Sequence, residues 1–167
     1  PACSDSGVSD EESARLAYAG LDPSIDKVID LGFQGFNAAS NANIPTQSTT
    51  GAVSGTLDVG GKVDAGASNN KEMTLDVTYT NYSDGAVANE NIDDIVYTSS
   101  GNGVVDLSLK GLPNANLTGT MTATVAMTGG LQGSVALSLS FTGQTEDDGT
   151  GKIRRKHAVE VDDRREP

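Results

Sequence analysis

The sequence has one cysteine, one histidine and no tryptophan, and these shortages exclude several kinds of protein. A single cysteine, Cys3, excludes an intrachain disulfide. Aromatic residues make up only 4% of the chain, so the core must consist of aliphatic and small side chains. No apolar run approaches the ~18 residues that a membrane-spanning helix needs. We therefore expect one domain that folds around an aliphatic core without disulfide bonds.

Positive charge is scarce in most of the chain and concentrated at its C-terminal end. The formal net charge is −12; residues 1–151 hold 5 basic and 19 acidic groups, whereas residues 152–167 hold 6 and 4. Such an acidic body disfavours nucleic acid and anionic membrane surfaces as partners. The C-terminal arm (residues 152–167) is either a solvated tail or a segment that binds acidic protein surface. Its candidate interaction residues are Lys152, Arg154, Arg155 and Lys156.

Nothing in the sequence indicates catalysis. The only histidine, His157, lies in the basic stretch, whereas a Ser-His-Asp site needs a buried histidine beside a serine and a carboxylate. Neither a GxSxG nucleophile motif nor a phosphate-binding loop occurs. Cys3 has no base nearby that would activate its thiol. We expect that the protein is not an enzyme.

Two acidic clusters are candidates for a metal site, and calcium is the metal that suits them. Calcium prefers oxygen ligands supplied by loops. Neither cluster has the spaced Asp-x-Asp-x-Asp-Gly register of a helix-loop-helix calcium site. We expect no cofactor, with calcium as the alternative that these loops leave open. The clusters are Glu90, Asp93 and Asp94, and Glu146, Asp147 and Asp148.

The first forty residues predict two helices. Ser9 and Glu12 have the spacing of a capping box, which favours a helix over about residues 10–20. Asp22-Pro23 has the form of a second helix start, with a capping aspartate and proline at the first helical position. Apolar residues then recur at helical spacing, which predicts a helix over 23–39. Gly32 and Gly35 lie on or beside this stripe and indicate a close approach of the helix to a sheet.

From about residue 50 the apolar period changes to two, which predicts consecutive strands. The longest pattern runs from Leu117 to Thr142, where Gly129-Gly130 predicts a two-residue hairpin turn. Gly60-Gly61 has the form of a second hairpin turn. The apolar positions of the long hairpin are Leu117, Gly119, Met121, Ala123, Val125 and Met127 on the first arm, and Leu131, Gly133, Val135, Leu137, Leu139 and Phe141 on the second.

These patterns predict an α+β fold. Two N-terminal helices precede an antiparallel meander of about seven or eight strands, with a helix packed on one face of the sheet. The predicted organisation is a polar leader (1–8), a single domain (9–151) and the C-terminal arm. Within the domain we predict helices over 10–39 and a sheet over 50–143. We further predict that residues 152–161 lie along a sheet edge, in this subunit or the next, where their charges discourage aggregation.

The N-terminus resembles the junction of bacterial lipoproteins. Pro1-Ala2-Cys3 places a small residue before a cysteine, and the polar residues that follow resemble the tether of such proteins. The resemblance covers only about the first ten residues. It implies lipidation of Cys3, anchoring to a membrane through the lipid, and a location at the bacterial cell envelope, on the outer membrane surface or outside the cell.

Two classes of function are compatible with these features. The first is a non-enzymatic structural or interaction protein of the envelope, with a protein partner for which a second copy of the chain is one candidate. The alternative is a carrier that binds a small apolar ligand, such as a lipid, with the 23–39 helix as a lid. The sheet positions that would line the carrier's groove are Met73, Leu75, Val77, Met121, Val125, Met127, Leu137 and Phe141.

Overall fold

A computed structural model describes residues 10–156 of the chain. In this range one helix precedes an antiparallel eight-stranded sheet, which confirms the α+β class. No helix among these residues is both long and apolar enough to cross a membrane. The elements are α1 (Asp10–Ala38), β1 (Asn43–Thr50), β2 (Ser54–Val63), β3 (Lys71–Ser83), β4 (Ile95–Ser99), β5 (Gly103–Lys110), β6 (Asn116–Gly129), β7 (Gly133–Asp147) and β8 (Ile153–Arg155).

The sheet is a meander, and all of its strand pairs are antiparallel. Its order is β1-β2-β3-β4-β6-β7-β8, and β5 also pairs with β3 and β6. β4 and β5 therefore share one position in the sheet, since each lies between β3 and β6. β8 pairs only with the last three residues of β7. The outer edge of β7 is consequently covered only at one end within the described residues.

α1 packs on one face of the sheet, and this face holds the core. The helix backbone lies closest to β1 and β2 on one side and to β8 on the other, so the sheet curves around the helix. The central strands reach α1 through their side chains. Core members include Leu21, Val28, Ile29 and Phe33 from the helix, and Leu57, Val59, Met73, Leu75, Val77, Tyr79, Val105, Leu107, Leu117, Met121 and Val125 from the strands.

The prediction of two helices was wrong, because α1 continues through Pro23. Pro23 is exposed, so its ring points to water on the outer side of the helix. The Ser24 hydroxyl donates to the carbonyl of Leu21 at 2.6 Å, and the Tyr97 hydroxyl donates to that of Ala17 at 2.9 Å. These bonds and the apolar stripe, which is continuous on both sides of Pro23, hold one helix where the local sequence predicts a break.

The predicted turn at Gly60-Gly61 was also wrong, since both glycines lie inside β2. Gly61 pairs with Ile44 of β1 on one side and with Leu75 of β3 on the other. A Cβ atom on Gly61 would lie 2.1 Å from the carbonyl oxygen of Thr74. The glycines thus permit a close approach of three strands, and the chain turns only after Val63.

The long hairpin has its predicted faces but a longer turn. Leu117, Met121 and Val125 are buried and alternate with exposed threonines, as predicted. The last pair of the hairpin is Met127 with Gly133, so the connection is longer than the predicted two residues. The reason is that β6 stays paired with β4 as far as Gly129.

The sheet starts and ends outside the predicted range of 50–143. β1 begins at Asn43, although it contains Pro45 and only one buried apolar residue, Ile44. Its pairing with β2 shifts between Ile44 and Gln47, so the proline lies at a bulge where a missing amide is tolerated. At the other end, β8 adds residues of the C-terminal arm to the sheet.

The predicted use of the helix glycines is confirmed by their neighbours. A Cβ on Gly32 would lie 2.5 Å from Cδ1 of Leu75 in β3. A Cβ on Gly35 would lie 2.6 Å from Cγ2 of Ile44 and 2.9 Å from the backbone oxygen of Pro45. α1 can lie this close to β1 and β3 only because these two positions lack a side chain.

Gly35→Ala should therefore destabilise the protein. In an open helical site the same change would stabilise by about 1 kcal/mol. Here the new methyl group meets a backbone carbonyl that cannot rotate away, and we expect a loss of about 1–3 kcal/mol in the free energy of unfolding. Urea unfolding measures it, with Gln34→Ala on the exposed side of the same turn as control, expected within about 0.5 kcal/mol of the parent. A Gly35→Ala protein as stable as the parent would contradict this close packing of α1 on β1.

Candidate functional site

Two strands of the described sheet, β1 and β7, have an outer edge without a strand partner along most of its length, and the unpaired stretch of β7 is the longer. β7 pairs with β6 from Gly133 to Gln144 and with β8 from Thr145 to Asp147. Between Gly133 and Gly143 no other described strand pairs with the outer edge of β7. We refer to the outer edge of β7 from Gly133 to Gly143 as the free edge.

The register shows which backbone groups the free edge presents. The amide of Lys156 donates to the carbonyl oxygen of Gln144 at 2.7 Å, so Gln144 faces the outer side of β7. In a β-strand the N–H and C=O groups of one residue point to the same side, and this side alternates from one residue to the next. The backbone groups of the even-numbered residues of β7 therefore point to its outer edge. The outward set comprises Ser134, Ala136, Ser138, Ser140 and Thr142.

The composition of the free edge is that of an inner strand. It contains no charged residue and no proline, although edge strands in native proteins are protected by lysine, proline, bulges or covering segments. Its inward side chains are apolar, with Leu137 buried and Val135, Leu139 and Phe141 half-buried. An extended segment of eleven residues with these properties is able to pair with another strand.

A groove of mixed polar and apolar lining lies beside the free edge, between β7 and α1. Its volume is about 230 Å³. Ile25 and Ile29 form the helix wall, and Leu139 and Phe141 form the strand wall. Tyr18, 42% exposed, lies at one end and donates a hydrogen bond to Asp22 at 3.1 Å. A strand that paired with β7 would place every second side chain over this groove.

β8 closes the other end of the groove and is fixed to the helix. The side chain of Asn37 donates to the carbonyl oxygen of Ile153 at 2.7 Å and accepts from its amide at 2.9 Å, in the manner of a neighbouring strand. Arg155 lines the groove and forms an ion pair with Asp26 at 2.6 Å. These contacts attach the end of β8 to α1 at the point where the free edge begins.

The structure places the first residues of the C-terminal arm on the sheet. Arg154 pairs with Glu146 at 2.9 Å across β7 and β8, and Arg155 lies against α1. The backbone of Lys152 accepts a hydrogen bond from the amide of Asp148, and that of Lys156 bonds to Gln144. The predicted edge position is confirmed for residues 153–155; residues 157–161 of the same prediction lie outside the described range.

Four of the six residues in the two acidic clusters have partners within the protein: Glu90, Glu146, Asp147 and Asp148. Asp147 and Asp148 accept hydrogen bonds from amides of their own loop, including that of Thr150 to Asp148 at 2.8 Å. The hydroxyl and amide of Thr150 hold the pKa of Asp148 below its usual range. Glu90 pairs with Arg15 at 2.7 Å. Asp93 and Asp94 lie before β4, and residues 10–156 contain no group of three or more His, Cys, Asp or Glu side chains placed to hold a metal ion.

Most of the residues predicted to line a carrier's groove do not line the groove beside β7. Seven of the eight are buried under α1, with exposed fractions from 0% for Leu75 and Val77 to 8% for Leu137. Only Phe141 lines the groove. Cys3 lies outside the described residues. The sequence did not predict that Ile25 and Ile29 form the helix wall of the groove. The free edge could have been predicted from the absence of charged residues between Gly133 and Gly143.

Comparisons of the chain with models of protein families, with curated proteins and with solved structures find no match.

Proposed function

We propose that this protein is a non-enzymatic interaction module of the bacterial cell envelope that binds an extended protein segment along the free edge. The mode is strand addition, in which backbone hydrogen bonds supply affinity and alternate side chains supply specificity. The observation that carries the proposal is the combination of an uncharged edge of eleven residues that no described strand covers and a groove directly beside it.

The groove and the charge define the chemistry of the partner. Its segment has apolar side chains at every second position, because only alternate residues of an added strand face the groove. Residues 1–151 carry a net charge of −14, so a segment with basic flanks binds better than an acidic one. A second copy of this protein and an unrelated protein with such a segment both meet this description.

The envelope location in this proposal is supported by the lipoprotein-like junction at Cys3 alone. A lipid on Cys3 would hold the acidic body near a membrane without a spanning helix. One acyl chain binds weakly, so a multiply acylated cysteine is the form that anchors stably. The polar residues after Cys3 would then serve as the tether.

Strand binding accounts for the groove better than storage of a lipid. Small-molecule pockets usually enclose about 300–1,000 Å³. The groove beside β7 has about 230 Å³. The sheet's large apolar side chains, such as Met73 and Met121, contact the core directly. A small groove next to backbone groups that no described strand pairs with suits a peptide strand.

Binding of a synthetic peptide tests the proposal. The probe has the length of the free edge, alternates valine with threonine and starts with two lysines. Leu139→Lys places a charge at the groove while its aliphatic stem still covers the strand. We expect it to weaken binding of the probe by about tenfold or more, which corresponds to about 1.4 kcal/mol.

Thr122→Lys is the matched control, because it adds the same charge on the water side of the neighbouring strand β6, away from the free edge and from the groove. We expect it to change the dissociation constant by less than about twofold, since surface charges alone contribute little. Fluorescence anisotropy with the labelled probe gives both constants. If the parent fails to bind, or if both lysine variants weaken binding equally, the free edge is not the site.

A further inference from the structure

The free edge has a sequence that is symmetric in residue type about its middle residue, Ser138. Outward from Ser138, both directions give a leucine, a small residue, a larger apolar residue, a hydroxyl residue and a glycine. These symmetric pairs are Leu137 and Leu139, Ala136 and Ser140, Val135 and Phe141, Ser134 and Thr142, and Gly133 and Gly143. An antiparallel pair of two such strands brings residues of like type opposite each other.

We propose that two copies of this protein pair along their free edges, β7 to β7, around a two-fold axis at Ser138. A two-fold interface brings the same patch of both subunits together, and it is the commonest arrangement among soluble oligomers. The sheets of the two copies then form one continuous antiparallel sheet. The inference rests on the proposed function and names its partner, since the extended segment that binds the free edge is the free edge of a second copy.

The register about Ser138 pairs the outward backbone groups of both copies. Because the backbone groups of Ser138 point to the outer edge, the axis lies at a pair that exchanges two hydrogen bonds. Ala136 then lies opposite Ser140 of the second copy, and Ser134 lies opposite Thr142. Every outward residue from Ser134 to Thr142 is paired without a bulge. A shift by one residue would instead set the water side of one strand against the core side of the other.

The same register pairs apolar side chains on the inner face. Leu137 lies opposite Leu139 of the second copy, and Val135 lies opposite Phe141. Leu139 and Phe141 form the strand wall of the groove, so Leu137 and Val135 of the second copy face the groove at alternate positions. A shift by two residues would leave Phe141 or Val135 opposite a glycine. The register centred on Ser138 is therefore the one that pairs all four apolar residues.

The distribution of charge fits a contact made through the free edge. The edge has no charged residue, whereas residues 1–151 carry a net charge of −14, so two copies repel each other everywhere else. Salt screens this repulsion, with a screening length that falls from about 10 Å at about 0.1 M to about 3 Å at about 1 M. We expect the dimer to tighten severalfold over this range, as measured by sedimentation. A dimer that weakens in salt would be held by opposite charges, which would overturn the inference.

Cross-linking at the two-fold axis tests the register in the full chain carrying Cys3→Ser. Ser138→Cys places two thiols opposite each other, where the Cα atoms are about 5.5 Å apart and within the range of a disulfide. Ser140→Cys is the matched control on the same face, because its two thiols lie four positions apart along the strands, roughly 14 Å. We expect Ser138→Cys to cross-link at least about tenfold faster under mild oxidation. Equal rates would overturn the inference.

A proline at the axis gives a second readout. Ser138→Pro removes an outward backbone donor without touching the pairing of β7 with β6, whereas Ser138→Ala keeps the donor. We expect Ser138→Pro to weaken the dimer by about tenfold or more and Ser138→Ala to change its dissociation constant by less than about twofold. A dimer that Ser138→Pro leaves intact would overturn the inference. Protection of the outward amides that is independent of protein concentration would also overturn it, because a segment of the same chain would then cover the edge.

The synthetic peptide separates this inference from the proposed function. Peptide and second copy compete for the same backbone groups, so an excess of peptide should dissociate the dimer. A parent that stays monomeric at all concentrations and binds the peptide means that the inference fails while the proposed function stands. A dimer that cross-links through Ser138→Cys but takes no peptide means that the inference holds and that the edge accepts only its own copy.

Discussion

Leu75→Ala should lower the free energy of unfolding by about 2–5 kcal/mol, because it empties a fully buried site under the helix. Leu75 has 0% exposure and lies in β3 directly below Gly32 of α1. The loss combines the transfer free energy of the removed carbons with that of the cavity left behind. Val53→Ala is the control, since Val53 is 60% exposed and its truncation should cost less than about 0.5 kcal/mol.

The contact between Leu75 and Gly32 adds a sharper form of this prediction. Gly32→Ala alone should destabilise the protein, because its methyl group would lie 2.5 Å from Cδ1 of Leu75. In the Leu75→Ala background the same methyl group enters the vacated space and should restore part of the lost stability. A double-mutant cycle by urea unfolding should give a coupling of about 1 kcal/mol or more. Additive effects would contradict the packing of Gly32 on Leu75.

Asp84→Asn should cost about 2–4 kcal/mol, because the carboxylate joins three parts of the fold. It accepts hydrogen bonds from Lys27 of α1 at 2.6 Å, from the Tyr82 hydroxyl of β3 at 2.7 Å and from the amide of Ala52 at 3.1 Å. Its side chain is only 13% exposed. Asp76→Asn, at an exposed strand position, is the control and should change stability by less than about 0.5 kcal/mol.

The pH dependence of this effect has a defined sign. Burial alone would raise the pKa of Asp84, but the bonds from Lys27, Tyr82 and Ala52 outweigh it and lower the pKa. A carboxyl whose pKa is lowered by folding stabilises above its unfolded pKa, here 3.8, and this contribution is lost as the pH falls through the folded value. Unfolding at pH 7 and at a series of lower values should therefore show the parent and Asp84→Asn converging below about pH 4. A constant difference would contradict the assignment.

The sequence predicted the faces of the strands well, because alternation along one strand is a local property. The buried positions Leu117, Met121 and Val125 follow from the pattern of β6 alone. The close approach of the helix to the sheet was likewise predictable from local sequence, because Gly32 and Gly35 interrupt an apolar stripe that must pack on another element. The class of fold followed from the order of the two periodicities.

The errors arose where contacts distant in sequence override local preferences. Asp22-Pro23 has the form of a helix start, yet hydrogen bonds from Ser24 and Tyr97 and the packing on both sides keep α1 continuous. Gly60-Gly61 has the form of a turn, yet its glycines serve the approach of neighbouring strands. The site was predicted only in part. The edge position of residues 153–155, which border the free edge, followed from their charge. The groove could not be predicted, because it depends on which strand lies beside α1.

Amide hydrogen exchange of β7, resolved by residue and measured in the presence and absence of the synthetic peptide, tests the central claim most directly. The full chain is measured with and without the peptide. Strand addition predicts that the peptide slows exchange at the outward amides Ala136, Ser138 and Ser140, while Leu137 and Leu139, which pair with β6, stay unchanged. A peptide that binds without slowing any outward amide of β7 would contradict the account.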